Sequence, residues 1–398
     1  MSTWIKEVLK ATSSSEAPER YFWWSAVSAI SAVTRRRIFL ERWHYKLYPN
    51  LYVILVGPSG LRKSIPISLA QKLVERIDCT RVFSGRASIQ AIIRELGKAH
   101  TLENKQILTD SVGFLLAPEL DNMLVEDDHA PNLLLDLYDT FTKDKWKNIL
   151  KSTSTDNLKN VYLTLLGASN ETNLSMALPQ SATHGGLLAR TSIVLEEKKR
   201  LLNSLVRRPN FIPNYTELSK RLYEISNLSG EFRWDNNVDD YYDRWYTGFM
   251  TLEPLDKTGT LDRLGDTVLK VAMCVSLSSK DDLVFTKEDI EEAIFRCQEC
   301  LVGMRKVFLG SGEHSLARAT AHVLRILINR IDHSISRGKL LSLLFGEADV
   351  VDLDRIIDTL VQAGAIECVK CGMDEVVYKM SDETVSKFGK FVDEERGK

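Results

Sequence analysis

The sequence predicts an α/β chain: a mainly parallel β-sheet flanked by helices, then a helical lid and a C-terminal winged-helix domain. Three observations carry this reading. Short, continuously apolar runs at 51–57, 112–118, 161–170 and 190–196 alternate with helical stretches, as strands buried on both faces do. Residues 215–250 and 259–309 then read as helices, broken only by a small apolar run at 283–285. Beyond a Gly/Ser hinge at Ser311–His314 the rhythm becomes three helices followed by a β-hairpin.

Residues 1–48 form an N-terminal helical region. Its polar break at Thr12–Pro18 allows a helix start near Ala17, because proline suits a first helical turn. Tyr21–Val33 is apolar with small residues and suits a buried helix. Arg35, Arg36 and Arg37 precede an alternating stretch, Ile38 to Tyr48, that reads as a short hairpin leading into Pro49 and Asn50.

Residues 49–210 hold the sheet. Helices are expected at Ser64–Ile77, Gln90–Ala99 and Asn132–Phe141 between the apolar strands. Residues 211–310 form the lid, and residues 315–398 the last domain. There, Leu316–Ile331, Ser336–Leu344 and Asp352–Ala363 read as helices, the last ended by Gly364. AIECVK and EVVYKM then pair across CGMD.

Composition narrows the class. With 398 residues and 44% hydrophobic residues, the chain can bury two or three cores of ordinary size. A net charge of −2 gives no global pull toward nucleic acid, so any such contact must be local. No apolar run approaches the roughly 18 residues of a membrane span. Met1–Lys10 lacks a signal-peptide pattern, and six cysteines make no disulfide framework, so a cytoplasmic setting is expected. Cys297/Cys300 and Cys368/Cys371 have zinc-like spacing within each pair. Their wide separation in the chain favours small buried side chains and thiols beside a hairpin.

The chemistry centres on Gly57-Pro58-Ser59-Gly60-Leu61-Arg62-Lys63-Ser64. A strand, a glycine-bearing loop, Lys-Ser and a helix form a phosphate-cradling P-loop, in which backbone amides and a helix N-terminus bind phosphate oxygens. Lys63 would reach the β/γ-phosphates of ATP, and the Ser64 hydroxyl would bind Mg²⁺. Arg62 stands where the pattern has glycine; it either narrows the cradle or adds a phosphate contact.

The second buried strand ends in Ala117-Pro118-Glu119. Many P-loop ATPases end this strand in Asp-Glu, the Asp holding the Mg²⁺ water shell and the Glu polarising the attacking water. Here only Glu119 remains, with Asp121 two residues on. Glu119 is read as the water activator, against a solvated carboxylate. Asn170, closing the third buried strand, can orient that water or cap the helix that follows; Thr172 and Asn173 are weaker candidates. Arg190, after Gly185 and Gly186, is placed to reach a neighbouring subunit's nucleotide as an arginine finger. Arg263 opens an amphipathic helix of the lid and suits a second phosphate sensor.

Loop, strand-end Glu, strand-end Asn and two arginines, in that order, resemble the AAA+ branch of P-loop ATPases. YPNLYVILVGPSGLRKS, GGLLARTSIVLEE and LDRLGDTVLKVAM resemble a family of phage and mobile-element helicase-like ATPases, similar to the MCM-like replicative helicases. The resemblance covers residues from about 20 to 300. It implies Walker A roles for Lys63 and Ser64, the Walker B glutamate at Glu119, sensor 1 at Asn170, the arginine finger at Arg190 and sensor 2 at Arg263. It also implies assembly into a ring, usually a hexamer, and motion along DNA in phage or mobile-element replication. Thr191 replaces the aromatic of the related MCM motif, and the Walker B aspartate is missing.

Lys143, Lys145, Trp146, Lys147 and Lys151 could form a basic pore loop gripping single-stranded DNA, or simply a solvated face. The third helix of the last domain is acidic and a poor groove reader, which leaves Arg337, Lys339, Lys370 and Lys379 as contacts to double-stranded DNA. A wing that binds replication proteins is the alternative. The competing whole-chain reading is a nucleotide-gated helicase loader or initiator without processive unwinding. The missing aspartate and the small N-terminal region point that way.

Overall fold

Where apolar runs alternate with helical stretches, five strands pair in parallel. They are β1 (Tyr52–Val56), β2 (Arg81–Ser84), β3 (Val112–Ala117), β4 (Tyr162–Ser169) and β5 (Thr191–Leu195). Their order across the sheet is β5-β1-β4-β3-β2. This computed structural model describes residues 3–85, 87–98, 100–101, 107–127, 129–139, 145–148, 156–178, 186–203, 214–252, 259–309, 316–328, 330, 332–344, 349–371, 375–382 and 385. The fold is mixed α/β.

Four strands were legible as apolar runs, and β2 was not. It is short, its Val82 and Phe83 are only half-buried, and Ser84 is exposed. β2 is an edge strand with β3 as its one neighbour in the sheet, so it lacks the continuous apolar run of a strand buried on both faces.

The chain order fixes where a ligand can enter. From β1 it runs to β2 at one edge, then back through β3 and β4 to β5 at the other. β1 and β4 are therefore neighbours whose following connections diverge, and the crevice outside their carboxyl ends is the topological switch point of the sheet.

Successive side chains of a strand face opposite ways, and β4 shows what covers each face. Tyr162 and Thr164 meet α2 (Glu19–Thr34), which follows α1 (Trp4–Ala11). Ser31 and Thr164 share a hydroxyl–hydroxyl bond of 2.8 Å, and the Tyr162 hydroxyl donates to the Ser31 carbonyl at 2.7 Å. α3 (Ser64–Glu75) packs beside α2. After α4 (Ile89–Leu96), α5 (Leu120–Glu126) covers the other face of β4, where a Cβ on Gly167 would come within 3.0 Å of Leu120. α6 (Ala130–Tyr138) lies against β1, the Tyr52 hydroxyl donating to Leu134 O at 2.8 Å. α7 (Glu171–Ala177) follows β4 directly and packs on α5.

The expected N-terminal region, ATPase core and lid form one unit, Met1–Val307. Every residue of α2 from Tyr21 to Thr34 is buried, so this helix is part of the sheet's own core. After α8 (Tyr215–Asn227) and α9 (Val238–Leu252), α10 (Thr260–Leu277) packs against α2. In α11 (Lys287–Leu309), Gly303 lies directly on β5, where a Cβ would approach Ile193 O to 2.9 Å.

The second unit, Phe308–Lys398, holds α12 (Leu316–Ile328), β6 (Ser334–Ser336), α13 (Arg337–Leu343), α14 (Val350–Gln362), β7 (Ile366–Cys371) and β8 (Glu375–Met380). Its antiparallel sheet runs β6-β8-β7. Val323, Leu327, Leu353, Ile356, Leu360 and Tyr378 are among its core. The three-residue β6 was not anticipated, being too short to show a period. Among the described residues no helix is long and apolar enough to cross a membrane.

If the hydroxyl cluster fastens α2 to β4, Tyr162→Phe should lower unfolding stability by about 1–2 kcal/mol, because it removes the two buried hydrogen bonds of the hydroxyl to Ser31 and Thr34 while keeping the ring. Urea denaturation reads this directly. An unchanged midpoint would show that packing alone holds the helix.

Candidate functional site

The loop after β1 opens at the switch point. Gly57 donates its amide to Ser169 O on β4 at 3.4 Å. A Cβ there would lie 2.3 Å from Glu196 O and 2.7 Å from the Tyr21 hydroxyl, so only glycine fits. The Tyr21 hydroxyl donates to Val56 O at 2.6 Å and pins the strand end from α2. Pro58, Ser59 and Gly60 are exposed, whereas Leu61 is buried and anchors the loop. Among the described residues, no hydrogen bond from the amides of Ser59 through Ser64 is present, and α3 begins at Ser64. A row of unpaired amides at a helix N-terminus is an anion-binding cradle.

Lys63 curls back over this cradle, its Nζ donating to Gly57 O and, at 3.0 Å, to Pro58 O. Burial pushes its pKa down, and the charge of Asp121 opposes that push. Arg62 has a φ of +58°, the left-handed conformation for which glycine is the usual residue. Its side chain neither narrows the cradle nor points into it. Arg62 Nε donates to Glu16 Oε2 at 3.1 Å, on the segment between α1 and α2. Lys199 Nζ reaches the same oxygen at 3.0 Å, and Asn203 N donates to Oε1. These partners, Lys199 foremost, hold the Glu16 carboxyl down at about 2.

The two acids after β3 have different partners. Glu119 accepts from Asn122 Nδ2 at 2.9 Å and lines a cavity of about 240 Å³ with Gly85, Ala87, Met123 and Glu126. Asp121 turns toward β4, its Oδ1 accepting from Ser169 Oγ at 2.9 Å and its Oδ2 from Asn173 Nδ2 at 3.0 Å. Asn170 caps α7, its Oδ1 accepting from Asn173 N at 2.7 Å. The capping alternative for Asn170 is therefore realised, and its amide nitrogen is the atom left for a ligand. Thr172 lies on α7, where its carbonyl accepts from Ser175.

Arg190 and Arg263 lie together at the opposite edge of the sheet. Arg190 ends the 3₁₀ turn before β5, at the amino ends of the strands. It is 8% exposed and forms a bidentate ion pair with Asp139 at 3.0 and 2.8 Å. Arg263 and Lys270 of α10 line the same small cavity. Lys270 Nζ donates to Asn50 Oδ1 at 2.8 Å and sits 3.9 Å over the Tyr138 ring. Burial lowers its pKa to about 7, against the pull of Asp266 and Asp139. Neither arginine can serve the loop of its own chain from this edge. Asp139 carried no sequence signal, because it follows a helix with no motif around it.

The DNA candidates fare unevenly. Lys145–Asn148 pairs with Asp156–Lys159 in an antiparallel ladder. Trp146 is 8% exposed and pairs across the ladder with buried Leu158, so its ring offers no free stacking surface. Lys145 is exposed; Lys147 lies in the ladder, its side chain outside the described set. Lys143 and Lys151 lie outside the described residues, as does Gly185. Arg337 forms an exposed ion pair with Asp354 of α14 at 2.7 Å, and Lys339 and Lys379 are exposed. Cys297 and Cys300 are buried in α11, and burial pushes both thiols up, away from the thiolate. Cys368 is exposed on β7.

The Glu16 tie sets a pH dependence. Its folded pKa is depressed from 4.5 to about 2, so its stabilisation is full above the ordinary value and is lost as pH falls toward 2. Thermal melting of the native chain and Glu16→Gln should differ near neutrality and converge between about pH 4 and 2. A difference independent of pH would refute the tie. Compared with known proteins, the chain matches no family model and no curated protein.

Proposed function

We propose that this chain is an ATP hydrolase of the AAA+ type whose active unit is an assembly of copies. The observation that carries the reading is the cradle itself. Unpaired amides from Ser59 to Ser64, a glycine that no other residue can replace, and an amine held over them lie at the switch point of a parallel sheet. A polyphosphate tail is the ligand such a cradle fits. Lys63 would exchange its two backbone carbonyls for phosphate oxygens. The Ser64 hydroxyl, exposed at the first helical position, is a hard oxygen donor of the kind Mg²⁺ takes. When bound, Mg²⁺ would neutralise charge developing on the phosphates. Asn170 would orient the attacking water through its amide nitrogen.

The separation of the two sheet edges supports assembly. Arg190 and Arg263 share an edge remote from their own cradle, so a phosphate they meet belongs to another copy. In that assembly Arg190 would leave Asp139 to neutralise the transition state. A ring-forming helicase or translocase acting on DNA in phage or mobile-element replication is the fuller reading. The C-terminal unit, with its helices, acidic α14 and hairpin, would be a winged-helix domain. A nucleotide-gated loader is the second reading, and a specific observation favours it. Trp146 is buried, which removes the aromatic stacking contact that a motor's strand-gripping loop would use.

Lys63→Ala should weaken Mg·ATP binding by about 10- to 100-fold, the loss of a charge-assisted contact. Arg190→Ala should retain binding and lose hydrolysis. Mixing the two inactive chains should restore part of the activity, because each supplies what the other lacks. Fluorescent-nucleotide titration and phosphate release measure both. Full activity of Arg190→Ala alone, or no recovery on mixing, would sink the shared site. Hydrolysis stimulated by single-stranded DNA without strand displacement would select the loader.

A further inference from the structure

We infer that Asp121, not a residue at the end of β3, is the carboxylate that holds the water shell of the magnesium ion beside the cradle. This assignment rests on the nucleotide reading above. The end of β3 offers Ala117 and Pro118, neither of which has a side-chain donor, and then Glu119. Glu119 is drawn by Asn122 into the cavity beside Gly85 and Ala87. Asp121 is drawn the other way, toward the end of β4 and the start of α7.

The route is short and made of hydrogen bonds. Gly57, first residue of the cradle, bonds Ser169 through its amide. Ser169 in turn donates its hydroxyl to Asp121 Oδ1 at 2.9 Å, and Asn173 fixes Oδ2 at 3.0 Å. Asn173 is itself held by the cap of Asn170 through its backbone amide at 2.7 Å. The carboxylate is therefore oriented by two side-chain donors from β4 and α7. Each of its oxygens retains acceptor capacity after one hydrogen bond. A carboxylate oriented by Ser169, whose own carbonyl takes the amide of the first glycine of the cradle, supplies what the strand end lacks. Ser169 and Asn173 are positioning residues, since they act through Asp121.

The test separates metal from nucleotide. Binding of a fluorescent, non-hydrolysable ATP analogue is measured in EDTA and across a MgCl₂ titration, for the native chain, Asp121→Asn, Asn173→Ala and Glu119→Gln. The paramagnetic signal of Mn²⁺ with the same analogue gives an independent readout. Asp121→Asn should bind nucleotide in EDTA as the native chain does, which also reports that it is folded. It should need about 10- to 100-fold more Mg²⁺ to reach the tight state, the scale of effects around a metal site. Asn173→Ala keeps the carboxylate and should shift the requirement less, in the same direction. Glu119→Gln should leave it unchanged. A native Mg²⁺ dependence in Asp121→Asn, or a loss confined to Glu119→Gln, overturns the assignment while leaving the nucleotide site intact. Failure of the native chain to bind the analogue at all overturns both.

Discussion

Gly57 stands where β1 stops and three other elements converge on its backbone. Ser169 of β4 takes its amide, Glu196 after β5 closes in from one side, and Tyr21 of α2 from another. The chain can leave the strand only outward, through the exposed stretch Pro58–Gly60, before Leu61 turns it back into the core. A loop so confined cannot fold its own amides onto its carbonyls. It is held open by the packing of α2, β4 and β5, none of which belongs to the loop. The cradle is thus a property of the core, and the burial of α2 from Tyr21 to Thr34 is what backs it.

The same sheet carries charge at both edges in different states. At the carboxyl edge the amine of Lys63 is partly exposed and bonded only to backbone carbonyls, contacts that a phosphate can displace. At the amino edge Arg190 is almost fully buried and paired with Asp139 through its Nε and Nη2. Breaking such a pair by removing one partner leaves an uncompensated buried charge. Exchange of one anion for another avoids that penalty. A phosphate presented by a second copy is such an anion, so the buried ion pair and a catalytic role elsewhere are compatible on electrostatic grounds.

How much of this was legible depended on the kind of signal. LYVILV and VYLTLLGAS read as strands because both faces are covered, which leaves no polar alternation to confuse the pattern. RVFS did not, since an edge strand is half-wet. The cradle was legible because backbone geometry forces particular residues: glycine at 57 by crowding and at 60 by its φ of +91°. Which carboxylate turns toward β4 was not legible. Glu119 and Asp121 are two residues apart, and their directions are decided by Asn122 on one side and by Ser169 with Asn173 on the other. Asp139 was invisible for the same reason, as its partner lies far along the chain. Trp146 misled because a tryptophan among lysines has the composition of a nucleic-acid loop, while the antiparallel pairing buries its ring.

The two departures from the loop and strand-end pattern, Arg62 and Pro118, have physical answers in residues outside the motif. A left-handed arginine costs about 1–2 kcal/mol relative to glycine. Its guanidinium is joined to Glu16, a carboxylate so well surrounded by Lys199 and Asn203 that it stays ionised far into acid. That contact fastens the loop to the segment between α1 and α2, a restraint glycine could not provide. Pro118 removes a donor from the strand end, and the turn that follows brings Asp121 around to Ser169. In each case the backbone path is kept and a carboxylate from outside the pattern is fixed beside it, Glu16 by Arg62 and Lys199, Asp121 by Ser169 and Asn173. The departures therefore read as relocation of charge around an intact loop, with Glu16 and Asp121 the carboxylates that the fold, and not the motif, places there.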